Sequence, residues 1–175
     1  MPTRFVQLDL APPYDRWAAQ AARDMQRVRR ALGPACAAVH HVGSTSVPGL
    51  HAVPVLDLVA EVTSGTLTAS LHLRLMVHGY AAAAPEPPCQ VFIVEDPVTR
   101  RPQVELRCYP AGHEEVQALV AIFAYLRAAP DAAAAYAAMK QDARAWHGAG
   151  TPGYHDAKAA WMRQHAAAAR RSRAG

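Results

Sequence analysis

His41-Val42-Gly43-Ser44-Thr45-Ser46-Val47-Pro48-Gly49-Leu50, followed after a short connection by Val55-Leu56-Asp57-Leu58-Val59-Ala60-Glu61-Val62, is the stretch whose reading decides the fold. The second run is apolar at almost every position and is bounded by Pro54 and Ser64-Gly65, which predicts a strand in a sheet covered on both faces. Side chains alternate along a strand, so Val55, Asp57, Val59 and Glu61 share one face and Leu56, Leu58, Ala60 and Val62 the other. Asp57 is thus a carboxylate set among apolar residues, where a charge is costly unless it is paired. The first run closes a short strand, residues 35–42, at a glycine. Gly43 lets backbone approach a ligand closely. The Ser44, Thr45 and Ser46 hydroxyls stand at the start of a helical turn that Ser44 can cap, and with the backbone amides they make an anion cradle.

The flanking sequence reads as alternating helix and strand. Asp15 is placed to cap a helix in which Trp17, Ala21, Met25, Val28 and Leu32 recur at helical spacing, with Arg16, Arg23, Arg27 and Arg30 on the other side and Gly33-Pro34 at its end. Residues 66–78 predict a second helix with Leu67, Leu71 and Leu75 in register, ending at His78-Gly79-Tyr80. Residues 81–88 read as loop. Residues 90–95 and 103–109 read as strands joined by the turn Asp96-Pro97-Val98-Thr99. Helices are expected over 113–128, 130–146 and 154–171, the last two separated by a Gly-rich loop at 148–153, with Trp146 and Trp161 as core residues. Residues 1–14 read as irregular. The order predicts a mixed α/β (α+β) fold: a central mixed sheet flanked by helices. The chain is expected to be one domain over 1–175, with a sheet core at about 15–110 and a helical C-terminal part at about 113–171.

Composition narrows the partners. The chain has 175 residues, 51% of them hydrophobic, enough for a full core and too many for disorder. Its net charge of +4 mildly favours an anionic partner. The arginines are spread along helices, and those near the C-terminus (Arg163, Arg170, Arg171, Arg173) complement a helix dipole. No basic and aromatic residues interleave as a nucleic-acid platform would require, so a small-molecule substrate is expected rather than nucleic acid. Cys36, Cys89 and Cys108 are odd in number and far apart, which argues against a disulfide framework and a zinc ribbon. No signal peptide or membrane-length apolar run is visible, so a cytoplasmic setting is expected. Nothing in the sequence speaks to oligomeric state.

A strand ending in Gly-Ser, a short turn, and a strand carrying Asp together resemble the polymerase-beta-type nucleotidyltransferase superfamily. The wording of residues 41–50, then Pro54-Val55-Leu56-Asp57, is similar to the GrpB family, also called UPF0157. Tyr125-Leu126-Arg127 with Pro130 resembles that family's helix boundary, and Tyr136 with Lys140 and Tyr154 with Lys158 resemble its two Tyr-xxx-Lys elements. The resemblance runs from about Tyr14 to Arg163. It implies a nucleotidyltransferase-like fold in which the Gly-Ser turn holds a nucleoside triphosphate and strand carboxylates hold a divalent metal, usually Mg²⁺, for in-line displacement at phosphorus.

The chain also departs from the resemblance. Where the superfamily places a second carboxylate, two residues after the first, stands Val59; Glu61 lies further along. Glu105 is the best remaining carboxylate, since Gln103, Glu105 and Arg107 share a strand face. Glu105-Leu106-Arg107 stands where the family carries His-Leu-His, Val53 where it carries lysine, and Phe123-Ala124 where it carries Arg-Asp. The polar positions change while glycines, prolines and apolar positions stay, as expected of a pocket retuned to another substrate.

The candidate catalytic residues are Asp57, Glu105 and His41, whose imidazole can orient the turn or act as acid or base. The candidate substrate-binding residues are Gly43, Ser44, Thr45, Ser46, Arg107, Lys140, Tyr154 and Lys158. The candidate metal ligands are Asp57 and Glu105, for one ion or none. Three functions are compatible with this set: a small-molecule transferase using nucleoside triphosphate and Mg²⁺; a nucleotide-independent enzyme of condensation, cyclisation or hydrolysis on the same scaffold; and a non-catalytic binding module.

Overall fold

A computed structural model describes residues 16–63, 67–83 and 89–174. Its centre is the apolar run around Asp57, which forms strand β2 (Leu56–Val62). β2 lies between β1 (Cys36–Val42), antiparallel to it, and β5 (Pro102–Pro110), parallel to it. β4 (Gln90–Glu95) pairs antiparallel with β5, and β3 (Ala81–Ala82) with β4, giving a mixed five-stranded sheet in the order β1-β2-β5-β4-β3. The helices are α1 (Trp17–Leu32), α2 (Ala69–Val77), α3 (Glu114–Ala128), α4 (Pro130–His147) and α5 (Pro152–Ala174).

The alternation of β2 separates two cores. Leu56, Leu58, Ala60 and Val62 join Val104, Leu106 and Phe92 from the neighbouring strands beneath Val28, Ala31 and Leu32 of α1 and Leu71 and Leu75 of α2. Val59 and its strand neighbours Val42, Val91 and Tyr109 pack on the opposite side against Ile122, Phe123 and Leu126 of α3, Tyr136 of α4 and Trp161 of α5. The sheet is therefore covered on both faces, and Asp57 faces the three-helix side.

Local chemistry explains most boundaries. Thr68 caps α2 by accepting from the Leu71 amide, so the helix begins at Ala69, later than the spacing predicts. His113 caps α3 through its ring nitrogen, which accepts from the Glu115 amide. Pro130 occupies the first turn of α4, where its missing N–H costs nothing. Asp15, expected to cap α1, and the irregular segment 1–14 lie outside the described residues; Arg16 stands at the cap position.

Several expectations need correction. Ala81 and Ala82 are not loop but a short edge strand, because β4 offers them free backbone partners. α5 starts at Pro152, inside the expected loop. Ala35, expected to open the first strand, instead closes a 3₁₀ turn with Gly33 and Pro34, and β1 begins at Cys36. Trp146 is 84% exposed, since it lies on the outer side of α4, whereas Trp161 is buried as expected.

Leu106 is fully buried in the core beneath α1 and α2, on a strand paired on both sides. Leu106→Ala is expected to lower unfolding free energy by about 2–5 kcal/mol, measured by chemical denaturation.

Candidate functional site

The site is organised by the turn after β1. Gly43 has a φ of +75°, and a β-carbon there would run into the Asp57 carboxylate, 2.8 Å from its Cγ. Only glycine permits both the angle and the approach. Ser44, Thr45 and Ser46 then make one 3₁₀ turn, whose Ser46 amide and hydroxyl both donate to the Gly43 carbonyl, at 3.1 and 2.7 Å.

Each of the three hydroxyls has a partner. Ser44 does not cap the turn as expected; Gly43 occupies the cap position. The Ser44 hydroxyl instead accepts from Lys140 Nζ at 3.1 Å, and the same ammonium donates to the His51 carbonyl. Lys140 is 1% exposed and lies over the Tyr136 ring at 5.2 Å. Burial, with the like charge of Lys158, pulls its ammonium down to about 8. Thr45 Oγ1 and His41 Nε2 are 2.9 Å apart. Burial, reinforced by the positive charge of Arg127, lowers the His41 imidazole to about 4, so it is neutral at pH 7. At the far end of the turn Arg127 Nη1 donates to the Ser46 carbonyl at 3.4 Å and hydroxyl at 3.3 Å.

The sheet supplies the other half. Asp57 is in register with Val42 on β1 and with Glu105 on the parallel strand β5, which puts both carboxylates on the face beneath α3, α4 and α5. Arg107, two residues on, shares that face and pairs with Glu105 at 2.7 Å. Lys158 of α5 feels the charge of Asp57. Burial raises the Asp57 carboxyl and lowers the Lys158 ammonium, each opposed by the other's charge. Lys158 Nζ lies 5.6 Å over the Tyr154 ring, and burial raises the Tyr154 hydroxyl to about 12.

The fold thus gathers the residues singled out in the sequence around one turn and one strand face. Glu61 is used elsewhere: it accepts from the Gly112 amide at 2.7 Å and pairs with His40 at 3.0 Å, tying β2 to the start of α3. Among the described residues no group of three His, Cys, Asp or Glu side chains is placed to hold a metal ion. Three contributors were not assigned a role from sequence. Arg127 was visible only as part of a helix boundary. Tyr136 is fully buried, with its hydroxyl beside Ser44. His155, at the start of α5, feels the charges of Lys158, Glu105 and Arg107. No single helix among the described residues is long and apolar enough to cross a membrane.

A Gly-Ser turn closing on a strand aspartate in a mixed five-stranded sheet flanked by helices is a nucleotidyltransferase-like fold. The chain belongs to the GrpB family: the family's profile, described as GrpB protein, matches residues 7–168. Among curated relatives it is 35% identical to UPF0157 protein SCO7215 of Streptomyces coelicolor over 73% of this chain and 66% of that protein. It is 26% identical to UPF0157 protein YqkA of Bacillus subtilis over 85% of this chain and 43% of that protein. UPF0157 protein BH1888 of Halalkalibacterium halodurans is 32% identical over 66% of this chain and 58% of that protein. The matched part spans 43% to 66% of these relatives' lengths.

The crystal structure of GrpB from Enterococcus faecalis superposes with a TM-score of 0.81 at 22% identity, covering 95% of this chain and 100% of that one. More distant likeness in fold extends to the Cid1 poly(U) polymerase, with a TM-score of 0.53 at 10% identity over 83% of this chain and 49% of that one.

Two measurements check this geometry. Gly43→Ala is expected to cost roughly 2 kcal/mol or more in a denaturation titration, since it strains the turn and displaces Asp57. The folded His41 imidazole resists the proton that the unfolded chain accepts below its ordinary value of 6.5, so its contribution to stability falls as pH drops from 6.5 toward 4. The stability advantage of the parent chain over His41→Gln should shrink by roughly 1–2 kcal/mol between neutral and acid pH, after allowance for solvent screening.

Proposed function

We propose that this protein is a group-transfer enzyme acting on a phosphate-bearing small molecule, with a nucleoside triphosphate as the first candidate, held at the turn Gly43–Ser46. The observation that carries this reading is the pair of cations gripping the two ends of that turn: Lys140 on Ser44 and Arg127 on Ser46. Together with Lys158 they place positive charge around a hydroxyl-bearing turn, the environment a phosphate needs. Likeness in fold to the Cid1 polymerase, whose structure is described with Mg 3′-dATP bound, supports a nucleotide as the ligand to try first.

The donor set does not fit two metal ions. Glu105 is held by Arg107, and Val59 offers no ligand, which leaves Asp57. One Mg²⁺ arriving with a triphosphate and touching Asp57 is the most that these residues can hold. Asp57, raised by burial, is the group suited to take a proton from an attacking hydroxyl or amine, and the neutral His41 holds Thr45 and so the shape of the turn.

The same observation on Glu105 favours a second reading, a nucleotide-independent enzyme in which Asp57 alone performs acid–base chemistry. Calorimetric titration of ATP, CTP, GTP and UTP, with and without Mg²⁺, separates the two. Binding of at least one nucleotide, weakened about tenfold or more in Lys140→Met, is expected from loss of a buried charge beside the turn. Silence across all four removes the nucleotide reading, and turnover without metal would establish the second.

A further inference from the structure

Ser44 and Lys140 form an arrangement that anion binding leaves unexplained. Lys140 is almost completely enclosed, so its ammonium cannot itself reach a ligand; it reaches the Ser44 hydroxyl at 3.1 Å. Ser44 is only partly buried and remains approachable from outside. The Tyr136 hydroxyl is fully buried and lies beside Ser44. A hydroxyl in contact with an enclosed amine, with a phenol beside it, is the constellation of an activated nucleophile.

We propose that Ser44 is a nucleophile and Lys140 its general base, together transferring the acyl group of a small ester or thioester. Ser44 Oγ attacks the carbonyl carbon and its proton passes to the neutral Lys140 Nζ. The bond from carbon to the leaving alkoxide or thiolate breaks, and that group takes a proton from solvent, while Lys140 keeps the proton of Ser44. Water from solvent then adds to the seryl ester, the carboxylic acid departs, and the Ser44 oxygen takes its proton back from Lys140 Nζ. The Tyr136 hydroxyl lies beside the Ser44 oxygen and is placed to steady the negative charge that gathers on that oxygen as its proton leaves. Burial favours the neutral amine that this chemistry needs, at about pH 8 and above. The charged or titratable groups around the pair are Lys158 of α5, which disfavours the ammonium, Tyr136 on the same helix, His41 of β1 and Asp57 of β2.

Acyl transfer at Ser44 goes beyond nucleotide binding and is tested independently of it: calorimetry reads affinity, whereas covalent labelling reads bond formation at one atom. The full chain is treated with a fluorophosphonate and the modified residue located by peptide mass spectrometry. Ser44 is expected to carry the label, at a rate that rises with pH through about 8. Lys140→Met should slow labelling by roughly 100-fold or more, the scale of a lost general base, and Lys140→Arg should not restore it, because a guanidinium stays charged. Tyr136→Phe keeps the packing and should slow labelling as well, so the test stands even if Lys140→Met fails to fold. No label on Ser44, a rate that is flat with pH, or labelling of the exposed Ser70 as fast as of Ser44 would overturn the proposal.

Discussion

The closure of Gly43 onto Asp57 is the constraint on which the site depends. β1 and β2 run antiparallel and meet at the pair Val42–Asp57, so the chain leaving β1 must pass directly over the carboxylate. Glycine makes that passage possible and sets the direction in which residues 44–46 leave the strand. The turn is thrown toward the three-helix face, where Ser44 meets α4 and Ser46 meets the last turn of α3. A bulkier residue would push the turn off the strand and separate the hydroxyls from Asp57. The rest of the site is an answer to this one close approach.

The charges on that face are kept by local compensation rather than by simple pairing. Lys140 has two oxygen acceptors and an aromatic ring beneath it; Lys158 has a ring beneath it and the field of Asp57. In both cases the tyrosine lies four residues earlier on the same helix, where side chains are neighbours. The two Tyr-xxx-Lys elements are therefore devices for carrying a cation into a poorly hydrated place. Glu105 is neutralised by Arg107 on its own strand. The outcome is a face with more positive than negative groups beside the turn.

Much of the fold was legible because it rests on short-range rules. The continuous apolar run of β2 declared a doubly covered strand, and helical spacing, proline and glycine marked most helices within a few residues. The misreadings have physical causes of the opposite kind. Ala81 and Ala82 carry no strand signal of their own and become a strand only because an edge is available. Trp146 looks like a core residue by type but falls on the outer side of α4, a matter of how that helix is rotated on its neighbours. Ser44 has the right chemistry for a cap, and a lysine 96 residues away takes its hydroxyl instead.

By itself the sequence determined the strand faces, the Gly-Ser turn, the single carboxylate at Asp57 and the family resemblance, because each is written in neighbouring residues or in period-two alternation. Only the tertiary structure decided which groups meet. It joined Lys140 to Ser44, Arg127 to Ser46 and Lys158 to Asp57, tied Glu105 to Arg107, and set the Tyr136 hydroxyl beside Ser44. These are meetings of residues from different helices and strands, set by how three helices pack on one sheet face, and no local pattern encodes the burial and proximity that give them their chemistry.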